Sequence, residues 1–130
     1  ILIQIVPFIT TKIQETELVS YIDPGATSCF GRRKILKNWE KLEKPLKITI
    51  ADKSIHKIWF VGRDIDIVIE KALFKTPTIY QHDSGRDLVI GNNFLKLYQP
   101  FIQTNNHISL THPTNGIIKL QLSTIMILSK

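Results

Sequence analysis

Few side chains in this chain could do chemistry. Carboxylates serve as general acids and bases, and two of them begin glycine-containing tripeptides, Asp23-Pro24-Gly25 and Asp83-Ser84-Gly85. Asp23 ends an apolar run, Leu18–Ile22. Asp83 is flanked by His82 and Arg86 and reads as the start of a surface turn. Cys29 is the only cysteine; no His or Asn context supports it as a nucleophile, and beside Phe30 it reads as core. His107 and His112 are loosely spaced for a metal and have no Cys or acidic partner close in sequence, so they read as structural or surface residues. His56 reads as exposed and Trp39 as core, while Trp59 is a candidate to pack over a cleft.

The composition sets the frame for these residues. A length of 130 residues, with 43% hydrophobic and 22% charged, fits one globular domain over 1–130. A single cysteine closes no internal disulfide, which fits a reducing compartment. The net charge is +6. Part of it lies in Arg32, Arg33, Lys34, Lys37, Lys41, Lys44 and Lys47. With Glu40 and Glu43 interleaved, and with no zinc spacing or aromatic stacking motif, this segment reads as a solvated helix or loop. A basic nucleic-acid-binding β-domain built around Arg32–Lys47 is the minor alternative, and it predicts strongly salt-dependent binding. Ile125–Leu128 is too short to cross a bilayer. Ile1–Phe8 has no basic flank and does not read as a signal peptide. A start at Ile rather than Met reads as a piece of a longer polyprotein.

The elements that must position these residues are mostly strands. Ile1–Ile9 is rich in Ile and Val. Leu18–Ile22 runs into a turn at Asp23-Pro24-Gly25; taken alone, this turn reads as type II with Pro24 at its second position. Leu46–Val61 reads as a β-hairpin with a tight turn at Asp52-Lys53. Ile65, Ile67 and Ile69 alternate with Asp64, Asp66 and Glu70, the period of a half-buried strand. Thr78–Tyr80 and Leu88–Ile90 are further short runs. Two short helices are predicted. Ile35–Leu42 gathers Ile35, Leu36, Trp39 and Leu42 on one face and stops at Pro45. Asn92–Tyr98 starts from Asn92 or Asn93 as N-cap and ends before Pro100. Phe101–Leu128 reads as strands with a turn at Pro113–Gly116.

Three segments, in this order, carry a family resemblance. They are Tyr21-Ile22-Asp23-Pro24-Gly25-Ala26-Thr27, then Ile50-Ala51-Asp52-Lys53-Ser54 with Asp64-Ile65-Asp66 and Pro77–Gln81 beyond it, then Leu88-Val89-Ile90-Gly91-Asn92-Asn93-Phe94-Leu95 with Leu97–Gln103. Together they resemble the retropepsin-type aspartic proteases of plant pararetroviruses, the protease segments of caulimovirus and tungrovirus polyproteins, over roughly residues 15–110. The Asp-x-Gly tripeptide alone is weak; the order and spacing of all three segments is specific.

The resemblance implies a mostly-β, closed-barrel acid-protease lobe with one or two short helices. It implies an endopeptidase that processes a viral polyprotein in the host-cell cytoplasm or virion, without metal, cofactor or membrane. Asp23 would be the catalytic carboxylate. Pro24, Gly25, Ala26 and Thr27 would form the active-site loop, and Val89, Ile90 and Gly91 the segment that closes it. Hairpin 46–61 would be the substrate flap, with Ala51, Asp52, Lys53 and Ser54 at its tip. A lobe of this length holds one such Asp, so the second must come from a homodimer partner.

Pro24 departs from the family pattern, which has Thr or Ser there. That residue's hydroxyl and N–H bond across the dimer axis in retropepsins, and proline has neither. An engineered change, a working variant with a looser dimer, and an inactive, monomeric binding or structural domain all fit the sequence.

Overall fold

The computed structural model describes the backbone of residues 2–49 and 53–129, and the side chains of residues 7–49 and 53–123. The strands are β1 (Leu2–Ile13), β2 (Thr16–Ile22), β3 (Cys29–Gly31), β4 (Glu40–Thr49), β5 (Ile55–Ile69), β6 (Ala72–Gln81) and β7 (Leu88–Ile90). A short helix α1 (Asn92–Leu95) continues as a 3-10 turn over Lys96–Tyr98, and β8 (Ile102–Gln103), β9 (His107–His112), β10 (Gly116–Gln121) and β11 (Ser123–Ser129) follow.

Six strands close on themselves. The order β1-β2-β7-β3-β6-β5 returns to β1 through the pair Lys12↔Val68, giving the mostly-β barrel expected from the sequence. β11 extends the sheet beyond β1, and β4 extends it beyond β5. β8, β9 and β10 form a second, three-stranded sheet. One apolar cluster spans both, from Ile67, Phe74 and Ile79 in the barrel to Ile108 and Leu110 in the small sheet.

Period-two patterning explains the long strands. Ile67 and Ile69 are buried and Ile65 half-buried, while Asp64, Asp66 and Glu70 point outward. The sequence suggested two strands across residues 55–69, but β5 runs through as one. Asp64 accommodates this by turning left-handed (φ 51) between the pairs Arg63↔Thr78 and Ile65↔Thr76. Pro77 lies between the β6 partners of those two pairs and has no N–H for the ladder.

The helix expected over Ile35–Leu42 does not form. Arg33–Ile35 is a single 3-10 turn without a side-chain cap, and β4 begins at Glu40. Ile35 and Leu36 are buried, and Trp39 packs against the core with its Nε1–H donating to the Arg33 carbonyl at 2.8 Å. The helical spacing of these apolar residues arises instead from a turn followed by an irregular edge strand. β4 shifts register against β5 between Lys41 and Leu46, so exposure in it does not alternate.

α1 does start where expected, but its N-cap is Gly91, with no side-chain cap bond. Asn93 is used elsewhere. Its Nδ2 donates to the Thr78 carbonyl at 3.0 Å, and its Oδ1 accepts from the Cys29 thiol at 3.1 Å. The side chain thus ties the helix to β3 and β6.

Candidate active site

The loop after β2 is held from below. β2 runs parallel to β7 with Ser20↔Leu88, Tyr21↔Val89 and Ile22↔Ile90 in register. This brings Asp23 to the end of β7, where its N–H donates to the Ile90 carbonyl at 3.0 Å. The carbonyls of Ala26 and Thr27 accept from the N–H groups of Asn92 and Asn93 at 2.8 and 3.1 Å. Gly91 passes so close beneath that a Cβ on it would fall on the Ser28 carbonyl. Only glycine fits there, because the backbone passes too close for a side chain.

Asp23-Pro24-Gly25-Ala26 is a hydrogen-bonded turn, Ala26 N–H to Asp23 carbonyl at 3.1 Å. It is not the type II turn read from the tripeptide, because Gly25 lacks a positive φ. Space at Gly25 is tight instead. Its N–H donates to Asp23 Oδ1 at 3.0 Å, and a Cβ would stand only 3.2 Å from that oxygen. The Asp23 carboxylate is exposed and has no ion pair among the described residues.

Asp23 opens into a cavity of about 910 Å³. Gly25, Ala26, Thr27, Ser28 and Val89 form its floor beside the carboxylate. Leu46, Lys47, Ile48 and Thr49 of β4 line it as well, and so do Phe30, Tyr80, His82, Ser84 and Arg86. Of the residues singled out from the sequence, Asp23, Gly25, Ala26, Thr27 and Val89 therefore meet at one site. Pro24 is exposed and does not line the cavity, while Ile90 and Gly91 are buried beneath it.

The hairpin of β4 and β5 exists, with Leu46↔Ile58 through Thr49↔Ile55 paired. Its connection spans residues 50–54, and the expected tip residues Ala51 and Asp52 lie outside the described residues. Lys53 and Ser54 are described and do not line the cavity; among the described residues, the hairpin reaches it through residues 46–49. Trp59, 41% exposed, is not among the lining residues.

The wall residues Phe30, Tyr80, His82 and Arg86 were missed in the sequence. Phe30 and Tyr80 are brought together by the parallel pairing of β3 and β6, a contact across 50 positions that no local pattern announces. His82 and Ser84 flank or belong to the dismissed tripeptide Asp83-Ser84-Gly85. That segment is an exposed bend, closed by the Gly85 N–H donating to Asp83 Oδ1 at 3.0 Å, and it lies at the cavity rim.

The other candidates resolve into structural roles. Cys29 is fully buried, and burial pushes its thiol up to about 11. His112 accepts at Nδ1 from the N–H groups of Thr114 and Asn115, so its Nε2 is the protonated nitrogen and donates to the Leu73 carbonyl at 2.7 Å. His56 is half-buried rather than exposed, with Nδ1 3.2 Å from His82 Nε2. Burial and then His56 hold the His82 imidazole below its ordinary value. In the basic run, Arg32 and Lys34 are tied to Asp83 and Asp87.

A closed six-stranded lobe with one exposed loop carboxylate above a glycine-pinned turn has the form of a retropepsin-like lobe. Comparison with known proteins agrees. Residues 3–129 match the family described as cauliflower mosaic virus peptidase (A3), and the chain belongs to that family. It is 54% identical over 105 residues to the enzymatic polyprotein of Soybean chlorotic mottle virus, covering 81% of this chain and 15% of that protein. It is 50% identical over 106 residues to the enzymatic polyprotein of Cestrum yellow leaf curling virus, covering 82% and 16%. The enzymatic polyprotein of Cauliflower mosaic virus (strain BBC) is 40% identical over 100 residues, covering 75% and 15%. The chain thus spans only about 15% of the length of these relatives.

Proposed function

We propose that this chain is an aspartic endopeptidase that cuts a viral polyprotein, acting as a homodimer with Asp23 contributed by each subunit. The observation that carries this reading is the position of Asp23: an exposed carboxylate, without an ion pair among the described residues, at the edge of a large cavity, on a loop that four backbone hydrogen bonds and the close passage of Gly91 support. Two such carboxylates facing each other around a water cannot both ionise, so the pair shares one proton. The charged member takes a proton from the water, and the protonated member polarises the scissile carbonyl. The β4–β5 hairpin would act as a flap, pairing with an extended peptide and excluding water as it closes. The place of action would be the host-cell cytoplasm or the virion, with the domain part of a longer polyprotein. A rate that peaks at mildly acidic pH is expected, and a flat profile from about pH 4 to about pH 8 would count against a shared proton.

Pro24 favours a second reading, a weakly associating or monomeric lobe without activity. Each neutral hydrogen bond lost across the axis costs about 1 kcal/mol, and symmetry doubles every loss. The dimerisation constant would fall by roughly 10²–10⁴. Sedimentation over a wide concentration range, with peptide cleavage in parallel, tests both readings on this chain and on Pro24→Thr. Dimers and cleavage in both establish the protease and make Pro24 harmless. A monomer that Pro24→Thr converts into an active dimer establishes the lobe and makes Pro24 its lesion. Monomers without activity in both cases would sink the homodimeric protease.

A further inference from the structure

Among the described residues, two cations line the Asp23 cavity, and neither forms an ion pair with a carboxylate. Arg86 sits on the connection between β6 and β7, its guanidinium carbon 4.8 Å from the centroid of the Tyr21 ring. Lys47 sits on β4 and stands opposite Lys57 in the hairpin ladder, a like-charged pair that gains nothing from its partner. The ion-paired acids are engaged elsewhere: Asp83 and Asp87 with Arg32 and Lys34, Glu40 with Arg63, Asp66 with Lys75. Among the described residues neither Arg86 nor Lys47 forms an ion pair. Among the described residues, Asp23 is the only acid in the cavity lining. Much of the remaining lining is apolar or aromatic: Phe30, Leu46, Ile48, Tyr80 and Val89.

A half-buried guanidinium stacked on an aromatic ring is already oriented, so it loses little freedom on binding. Its fork matches a carboxylate, and charge-assisted bonds of this kind are about twice as strong as neutral ones. We propose that the cleft selects extended peptides carrying an Asp or Glu side chain close to an apolar residue at the scissile bond, with Arg86 taking the carboxylate and Lys47 adding positive charge from the hairpin wall. This inference rests on the reading of the cavity as a peptide cleft. Arg86 is a specificity residue here, and it takes no part in the proton transfers.

The test uses a set of extended peptides that differ only by Glu, Gln or Lys at positions flanking an apolar pair. Binding is read by fluorescence anisotropy on Asp23→Asn. Cleavage is read on the unaltered chain and on Pro24→Thr. The Glu peptide should bind and be cut roughly tenfold better than the Gln peptide, and the advantage should shrink in high salt. Arg86→Gln should erase the difference and Arg86→Glu should turn it toward Lys, with circular dichroism unchanged. Lys47→Gln should reduce it by a smaller factor and serves as the second variant if Arg86 substitutions unfold the chain. Cleavage without a charge preference would overturn the inference and leave the protease standing. A Glu preference in binding without cleavage by any form would uphold the inference and remove the protease. Equal handling of all three peptides in binding, with no cleavage, would remove both.

Discussion

The two Asp-x-Gly loops share their local chemistry and differ in everything around it. In both, the glycine N–H donates to the aspartate Oδ1 at 3.0 Å. The Asp83 loop lies between β6 and β7 with its carboxylate 77% exposed and 3.3 Å from Arg32 Nε. The Gly85 N–H, and then Arg32, hold that carboxylate below the usual range. The Asp23 carboxylate forms no ion pair among the described residues, and β7 and α1 clamp its loop from beneath. The glycines also serve different ends. Gly85 turns left-handed (φ 82) with open space around its Cα, while Gly25 has no positive φ and is crowded by Asp23 itself. A tripeptide fixes a turn; the layer beneath decides whether its carboxylate is held rigid and left unpaired.

The largest expected effect is on catalysis. In whichever of the unaltered chain and Pro24→Thr cleaves peptides, Asp23→Asn should cut the rate by at least 10²–10⁴, roughly the worth of a positioned acid–base group. Asp83→Asn should stay within about twofold. Equal losses from both substitutions would erase the distinction between the loops.

Stability comes next. Gly91→Ala must push a methyl into the Ser28 carbonyl and should cost about 3 kcal/mol, while Gly85→Ala should cost about 1 kcal/mol for its left-handed backbone alone. Urea titrations of the two variants check the order, and a reversal would mean that the clamp beneath Asp23 is softer than its geometry.

The smallest effect is on pH dependence, and it should fall on the outer loop. His82 is held below its ordinary value of 6.5, so the folded state favours the neutral imidazole. Its contribution is present above that value and is lost as pH falls from there through the lower folded one. The groups facing it are His56 on β5, the Phe30 ring on β3 and its neighbour Asp83. Asp83 acts in the same direction further down: its stabilisation is present above 3.8 and is lost as pH falls through its depressed value. The protection factors of residues 82–87, with the intrinsic exchange rate at each pH divided out, should therefore fall in two steps on acidification. His82→Gln should remove the upper step and Asp83→Asn the lower. An equal fall at residues 23–26 would show that the two loops open together.

Much of this was legible in the sequence. Alternating Ile65, Ile67 and Ile69 marked a strand, and Leu18–Ile22 and Leu88–Ile90 marked the two that meet beneath Asp23. The hairpin and the short helix after Gly91 were legible too. The Ile35–Leu42 segment misled, because an apolar spacing of three and four also results from a turn joined to an edge strand with a register shift. Asn93 misled because its side chain is spent on Thr78 and Cys29 across the barrel rather than on its own helix end.

The sequence by itself determined the strand-rich class, the turn at Asp23, and the absence of a hydroxyl and an N–H at Pro24. These follow from side-chain period, backbone sterics and covalent structure, all of which act locally. Only the tertiary structure decided that Arg32 pairs with Asp83, while Asp23 has no ion pair among the described residues. It also decided that Phe30, Tyr80, His82 and Arg86 wall the cavity, and that residues 46–49 of the hairpin line it. Those contacts depend on barrel closure and strand register, which join residues that are distant in the chain.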